Sequence, residues 1–218
     1  LRLFKNRTEA GNILSEELIK YSGNSNVVCI GLIRGGVSIA KAVGEKLSLH
    51  SYGFIVQKIG APGNPELAIG AITEKDRAYL NKDIVAALCL TDEELSFCID
   101  RAKQKYLEKS AYYNINFNLE IVKNRIVILC DDGIATGASM ICACKTIRKY
   151  MPEKLIAASP VSSKEAECNL KKHANSVICL NVPGNFLSVS NWYEDFSEVS
   201  KNLVKHTLNP ECVQAALR

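Results

Sequence analysis

Long apolar runs are missing from this chain of 218 residues. Runs such as 27–33 and 84–90 fall far short of the roughly 20 residues that a membrane-spanning helix needs, so no membrane partner is expected. The opening LRLFKNRTEAG has no apolar stretch of the kind a signal peptide carries. Its first residue is Leu1 rather than Met, which leaves open what precedes it. There is no Lys/Arg-rich tract and no nucleic-acid-binding motif. A net charge of +4 suits an anionic small molecule and gives no reason to expect nucleic acid. Histidine is scarce: His50, His173 and His206 stand apart from one another and from acids, which reads as surface residues rather than ligands or bases. The nine cysteines form neither a CxxC pair nor a zinc knuckle. Cys142 and Cys144 are one residue apart, and Cys29, Cys130 and Cys179 lie inside apolar runs as small hydrophobes. The pattern reads as a reducing cytoplasm without a disulfide framework.

What is present fits one domain over 1–218, with 47% apolar and 23% charged residues. Ala10, Ile13, Leu14 and Leu18 recur at helical spacing, so 7–21 reads as a helix with Asn6 as N-cap and Glu9 three residues on. A buried strand at 27–33, an Arg34-Gly35-Gly36 turn, a helix through Val37, Ile39, Ala40, Val43 and Leu47, and a strand at 52–58 make a parallel unit with a right-handed crossover. Residues 59–70, with three Gly and two Pro, read as a long loop leading to a hairpin near Glu74-Lys75-Asp76. A helix is expected over 92–110. Strand–helix alternation then returns: strand 126–130, helix 138–150, strand 155–161, a helix capped by Ser162 and Glu165 and running to about His173, strand 176–180. The tail from Val182 holds a Pro-Gly-Asn turn, an aromatic cluster and a short terminal helix. The fold class is α/β, a central parallel sheet flanked by helices.

Residues 126–140, IVILCDDGIATGASM, carry the most chemistry. A buried strand ends in Asp131 and Asp132. A loop of small residues, Gly133 to Ser139, follows and opens a helix. Loop N–H groups and a helix N-terminus form a cradle for a phosphate, and the acids face sugar hydroxyls or a metal. Adjacent residues at a strand end point to different sides, so a proton shared by the two acids is not expected.

This run resembles the signature of the type I phosphoribosyltransferases, which use phosphoribosyl pyrophosphate (PRPP). The resemblance implies displacement of pyrophosphate from C1′ of PRPP by a nitrogen nucleophile, most simply a nucleobase in nucleotide salvage. Asp131, Asp132 and Arg34 would be the catalytic residues, the two acids on the ribose hydroxyls and beside a cationic transition state. Gly133, Ile134, Ala135, Thr136, Gly137, Ala138 and Ser139 would hold the 5′-phosphate, with Gly133 and Gly137 taking backbone angles closed to other residues. Arg34, Gly35 and Gly36, with Lys58 as a further candidate, would hold pyrophosphate. Mg2+ is implied as cofactor, carried mainly by PRPP and reached at most by Asp131 and Asp132. The stretch around 59–83 falls where the family carries a mobile loop and hairpin that closes over the site. A homodimer is implied as well.

The resemblance extends to GLIRGGVSIA, QKIGAPGNPELAIGAI and WYEDFSEVS, which are similar to a bacterial group of phosphoribosyltransferases with unassigned acceptors. That group has Pro where this chain has Ile33, and often Val where it has Cys130. A small hood built from 1–6 and 181–200 would hold the acceptor. There Phe186, Trp192 and Tyr193 could stack on a base or form hood core, and Asp195 could bind a base or Mg2+ or cap a helix. The 179–183 stretch lacks the lysine that hypoxanthine-type enzymes use on the base. Two other readings stand beside the transferase. One is a PRPP-binding regulatory protein without turnover. The other is a sugar-phosphate hydrolase, which would need a base for water that no motif supplies.

Overall fold

The computed structural model describes residues 2–74, 77–113, 118–200 and 204. Five parallel strands form the central sheet. They are β1 (Val27–Leu32), β2 (His50–Phe54), β6 (Ile126–Cys130), β7 (Lys154–Val161) and β8 (Ser176–Asn181), in the spatial order β2-β1-β6-β7-β8. The order reverses between β1 and β6, and the register Gly31↔Cys130 brings their carboxyl ends side by side. A ligand crevice belongs at such a switch point. Helices α1 (Arg7–Glu17), α2 (Gly35–Leu47), α5 (Ala138–Arg148) and α6 (Lys164–Leu170) accompany the sheet. Two apolar clusters cover its faces. One gathers Leu14, Ile39, Val43, Cys29 and Ile128; the other gathers Ile30, Leu129, Met140, Ile147 and Leu155. Cys29 and Cys130 are buried free thiols whose sulfurs lie 3.5 Å apart.

Two capping expectations resolve differently. Asn6 caps α1 by accepting from the Glu9 N–H at 3.0 Å, while the Glu9 carboxylate takes the Lys5 N–H at 2.7 Å. In α6 the cap is Ser163, not Ser162: the Ser163 hydroxyl accepts from the Ala166 N–H at 3.1 Å, and Ser162 is buried. The helix therefore starts one residue later than the Ser/Glu spacing predicts. It ends at Leu170.

The largest departure is at 52–70. The second strand stops at Phe54, and residues 59–70 are not a loop. They belong to β3 (Gln57–Ala61) and β4 (Asn64–Glu74), which with β5 (Arg77–Leu80) form a separate antiparallel sheet in the order β3-β4-β5. The Gly and Pro residues serve the hairpin rather than breaking it. Gly63 takes φ +69 in the turn. Pro65 lies in the irregular stretch between the Ala61↔Asn64 and Gly60↔Ala68 pairs, where a missing N–H costs little. A Cβ on Gly60 would lie 2.5 Å from the Pro65 carbonyl oxygen, so the bulge needs glycine. β4 and β5 pair across Glu74↔Arg77; Lys75 and Asp76 lie outside the described residues. Ile59, Ile69 and Ile72 of this sheet pack on Cys98 and Ala102 of α4 (Asp92–Tyr113), and the short α3 (Lys82–Ala87), not anticipated from the sequence, joins them.

The two ends of the described chain meet. Phe4 N–H donates to the Trp192 carbonyl at 3.0 Å, and the Glu194 and Asp195 N–H groups donate to Phe4 and Lys5. Asn181 bonds the backbone of Arg2 in both directions. Val204, one turn beyond Ser200, is helical and buried; the rest of the expected terminal helix and His206 lie outside the described residues.

Candidate active site

Glycines set the geometry. A Cβ on Gly31 would lie 2.4 Å from the Gly36 carbonyl oxygen, and one on Gly36 would lie 2.4 Å from that of Cys130. A Cβ on Gly35 would lie 1.8 Å from Asp132 Oδ2. The Arg34-Gly35-Gly36 turn therefore presses against the two acids, as the switch point demands. The turn itself opens α2: Arg34 is the N-cap, and Gly35 and Gly36 are its first two residues. The Ile33–Arg34 peptide is cis.

Asp131 and Asp132 follow directly on β6 as expected, and they are linked to each other. The Asp132 N–H donates to Asp131 Oδ1 at 3.0 Å. Burial first, and the Asp132 charge second, push the Asp131 carboxyl well above the usual carboxylate range. Asp132 is also raised by burial, against the pull of Arg7. The strand ends at Cys130, and the bend after it lets the second amide cap the first side chain.

Arg7 is the functional residue that the sequence reading missed. Its Nε donates to Asp132 Oδ2 at 2.7 Å, and the two side chains keep only 12% and 15% of their exposure. Its Nη1 donates to the Ser197 carbonyl at 2.7 Å, and its guanidinium stacks 3.9 Å from the centre of the Phe196 ring. A signal was available: a cation in the first turn of a helix opposes the macrodipole, so it needs another partner.

The 133–139 loop lies at the start of α5, pinned from the α6 side. The Ser163 hydroxyl donates to the Ala135 carbonyl at 2.6 Å while capping α6. Gly137 is the N-cap of α5 with φ +76, the left-handed angle expected of it. Gly133 is different. Its φ is ordinary, and what excludes a side chain is Val189, whose Cγ1 would be 2.2 Å from an added Cβ. Ile134 is also corrected. Its N–H donates to the Val161 carbonyl and its side chain is core, so it anchors the loop and has no amide to offer a phosphate. Ala135 and Thr136 are exposed, Ser139 is half-buried, and the Ala138 N–H donates to Thr136 Oγ1 at 3.4 Å.

Arg34 pairs with Glu198 of the tail. Beside it the end of α4 arrives: Tyr113 packs with Val37 and Val199. One turn back, Lys109 is half-buried, and burial together with the charges of Arg34 and Lys105 holds its ammonium below the usual lysine range. Lys58 is not at the end of β2. It sits within β3, paired with Ala71, because the chain turns into the second sheet at Ile55.

The tail residues sort cleanly. Tyr193 is buried in the core rather than a free stacking surface, with Phe4 and Phe196 at 5.6 and 5.1 Å and its hydroxyl donating to the Asp132 carbonyl at 2.6 Å. Burial and the neighbouring acids raise its phenol. Trp192 is partly buried against the same cluster, and Phe186 is half-buried. Asp195 is exposed. It accepts the Ser197 N–H at 2.9 Å, and that bond lowers its carboxyl. It turns the chain there rather than capping a helix.

A sequence profile of the phosphoribosyl transferase domain matches residues 4–197. The chain belongs to the phosphoribosyl transferase family. It is 33% identical over 205 residues to a Mycobacterium tuberculosis protein named "Putative phosphoribosyl transferase Rv0571c", a match that covers 94% of this chain and 46% of that protein. The chain thus spans about half the length of the curated relatives it matches. The crystal structure of TT1426 from Thermus thermophilus is similar at 34% identity, with a TM-score of 0.74 over 95% of this chain and 98% of that one. AQ2163 from Aquifex aeolicus, at 13% identity and a TM-score of 0.51 over 81% of this chain and 74% of that one, shares the fold. Membership carries the α/β phosphoribosyltransferase fold with it. Among the described residues, no helix is long and apolar enough to cross a membrane.

Proposed function

We propose that this phosphoribosyltransferase domain transfers the 5-phosphoribosyl group from PRPP to a nitrogen acceptor, a nucleobase, and releases pyrophosphate. The observation that carries the reading is the apposition of Gly35 to Asp132. It sets the turn assigned to pyrophosphate and the loop assigned to the 5′-phosphate on either side of one acid pair. The ribose would lie over Asp131 and Asp132, its hydroxyls donating to the carboxylates. The 5′-phosphate would take the N–H groups of 135–137 and 139 and the Thr136 and Ser139 hydroxyls, each charge-assisted bond worth roughly 1.5–3 kcal/mol. Pyrophosphate would lie at the start of α2, on Arg34 and the Gly35 and Gly36 amides, with Lys109 as a second cation.

Mg2+ fits this donor set as a passenger of PRPP. Asp132 is already engaged by Arg7, and among the described residues no cluster of three His, Cys, Asp or Glu stands ready to hold a metal. When bound, the ion would neutralise the leaving pyrophosphate. The residues proposed to meet substrate are partnered by one strap: Ser197 and Phe196 hold Arg7, which holds Asp132, and Glu198 holds Arg34. Substrate phosphates would replace Glu198.

Calorimetric titration with PRPP, with and without Mg2+, followed by a mass-spectrometric screen of nucleobases for nucleoside monophosphate, tests the reading. Micromolar PRPP binding with turnover on a base is expected. Binding without turnover on any base would make the protein a PRPP-binding regulator, and no PRPP binding would refute the site.

A further inference from the structure

Away from the acid pair, a cavity of about 400 Å3 opens between β5 and the C-terminal half of α5. Tyr79 forms one side. Cys142, Lys145, Thr146, Arg148 and Lys149 form the other, so among the described residues three of the lining are cations and none is an acid. Positions 142, 145, 146 and 149 follow helical spacing and share one face of α5. Lys82 and Lys172 add positive charge nearby, acting on Lys145 and His173.

The polar atoms of the floor are spent internally. The Cys142 thiol donates to the Ala71 carbonyl at 3.3 Å, and the Thr146 and Thr73 hydroxyls bond each other at 2.6 Å. Among the described residues no carboxylate pairs with Lys145, Arg148 or Lys149, and the acid whose charge reaches the cavity is Asp83, facing Tyr79. The Lys145 ammonium lies over the Tyr79 ring, 3.9 Å from its centre. Arg148 is fixed by donating to the His173 carbonyl at 3.0 Å and to Asn175 Oδ1 at 3.4 Å. Basic residues near a helix C-terminus are ordinary when they turn to its last carbonyls. Here they surround a hollow with apolar walls and a size in the range of small-ligand sites.

We propose that this cavity is a second ligand site, for a small phosphorylated anion that carries a flat apolar group, of the nucleoside monophosphate class. The phosphate would draw Lys145 off the Tyr79 ring and sit between Lys145 and Lys149, with Arg148 adding charge from where His173 and Asn175 hold it, and the flat group would take the ring surface that Lys145 leaves, beside the satisfied floor. No residue of 131–139 lines it, so the site stands whether or not the transferase reading does.

Calorimetric titration with AMP and with inorganic pyrophosphate tests it. The full chain carrying Gly137→Val, which closes the loop at the start of α5, should still bind one AMP. Adding Lys145→Glu and Lys149→Glu should weaken that binding at least about tenfold. The wild-type chain, needed if Gly137→Val does not fold, should bind one AMP more than the chain with the lysine pair reversed alone. AMP should bind more tightly than pyrophosphate at the cavity. Loss of all AMP binding in a folded Gly137→Val chain, or a stoichiometry and affinity untouched by the lysine reversals, would overturn the site. Equal binding of pyrophosphate and AMP would overturn the assignment of the flat group.

Discussion

Replacing Arg7 by Ala would leave Asp132 as a carboxylate with its main counter-charge removed. Breaking a buried ion pair by deleting one partner costs about 3–5 kcal/mol when the remaining charge stays buried. Here both side chains keep a little exposure, 12% and 15%, and the carboxyl can escape by taking a proton. About 3 kcal/mol at pH 8 is therefore expected. For a domain of this size that is a drop in Tm of about 6–12 °C. The pH dependence has a definite sign. Burial already raises Asp132, and Arg7 is the chief influence holding it down, so the variant's carboxyl rises further. An acid raised in the folded state contributes stability that is present below its unfolded value and lost as pH climbs through the folded one. Arg7→Ala should thus lose more at pH 8 than at pH 5. A double-mutant cycle with Asp132→Asn, read by thermal and urea unfolding, isolates the pair. A coupling of at least about 1.5 kcal/mol is expected. A coupling below about 0.5 kcal/mol, or equal losses at both pH values, would show that the two groups do not hold each other.

Other outcomes follow from the same geometry. Asp131→Asn should abolish PRPP turnover yet keep or raise Tm at pH 8, because burial makes that charge costly; a fall of many degrees would make Asp131 a structural anchor. Gly35→Ala would drive a methyl into Asp132 Oδ2. It should cost about 1–3 kcal/mol and raise KM for PRPP, and unchanged kinetics would separate the turn from the acids. Ser163→Ala removes both the α6 cap and the tie to the Ala135 carbonyl. It should cost about 1–2 kcal/mol and weaken PRPP binding, where stability loss alone would free the loop from α6. Lys109→Ala should raise KM for PRPP with a smaller effect on kcat, and equal KM values would remove Lys109 from the pyrophosphate site.

The central sheet was legible because its strands are short apolar runs separated by helical periodicities, and because a parallel sheet needs such alternation. The acid pair, Gly137 and the Arg34 turn were legible because a backbone that must approach a phosphate or a carboxylate leaves glycine in the sequence. The small sheet was not. In 59–70 the glycines and prolines serve a hairpin turn and a bulge, but by composition they read as coil; only the partner strands distinguish the two, and partners are tertiary information. Arg7 was hidden for the same reason. It lies 125 residues from Asp132, and nothing local names a partner except the mismatch between a cation and a helix N-terminus. Ser162 and Ser163 show the finer limit: either hydroxyl could cap the helix, and the Ile134–Ser162 bridge decides between them by claiming Ser162 for the sheet edge.

The charges around the site explain why the strap is anchored where it is. Arg34 lies near enough to half-buried Lys109 for its charge to be felt there, and Glu198 is the carboxylate that pairs with Arg34. A single exposed carboxylate on one arginine is a weak bond, because such pairs are worth about 1 kcal/mol or less. A pyrophosphate group carries more charge, accepts several bonds at once, and on the proposed reading would meet both cations and the Gly35 and Gly36 amides, so it would outcompete Glu198. Arg7 and Asp132 are bound differently. Their pair is buried, stacked on Phe196 and tied to Ser197, and a neutral ribose hydroxyl cannot displace a guanidinium from a carboxylate. A ribose bound as proposed would therefore use the oxygens that Arg7 leaves free on Asp132 and those of Asp131. The strap then has one end that releases, at Glu198, and one that stays, at Arg7. Removing the carboxylate tests this: Glu198→Gln should strengthen PRPP binding by removing a competitor, and Glu198→Lys should strengthen it at least as much by adding a cation where the competitor stood. Tighter binding in neither, or weaker binding in Glu198→Gln, would mean that Glu198 assists the substrate instead of yielding to it.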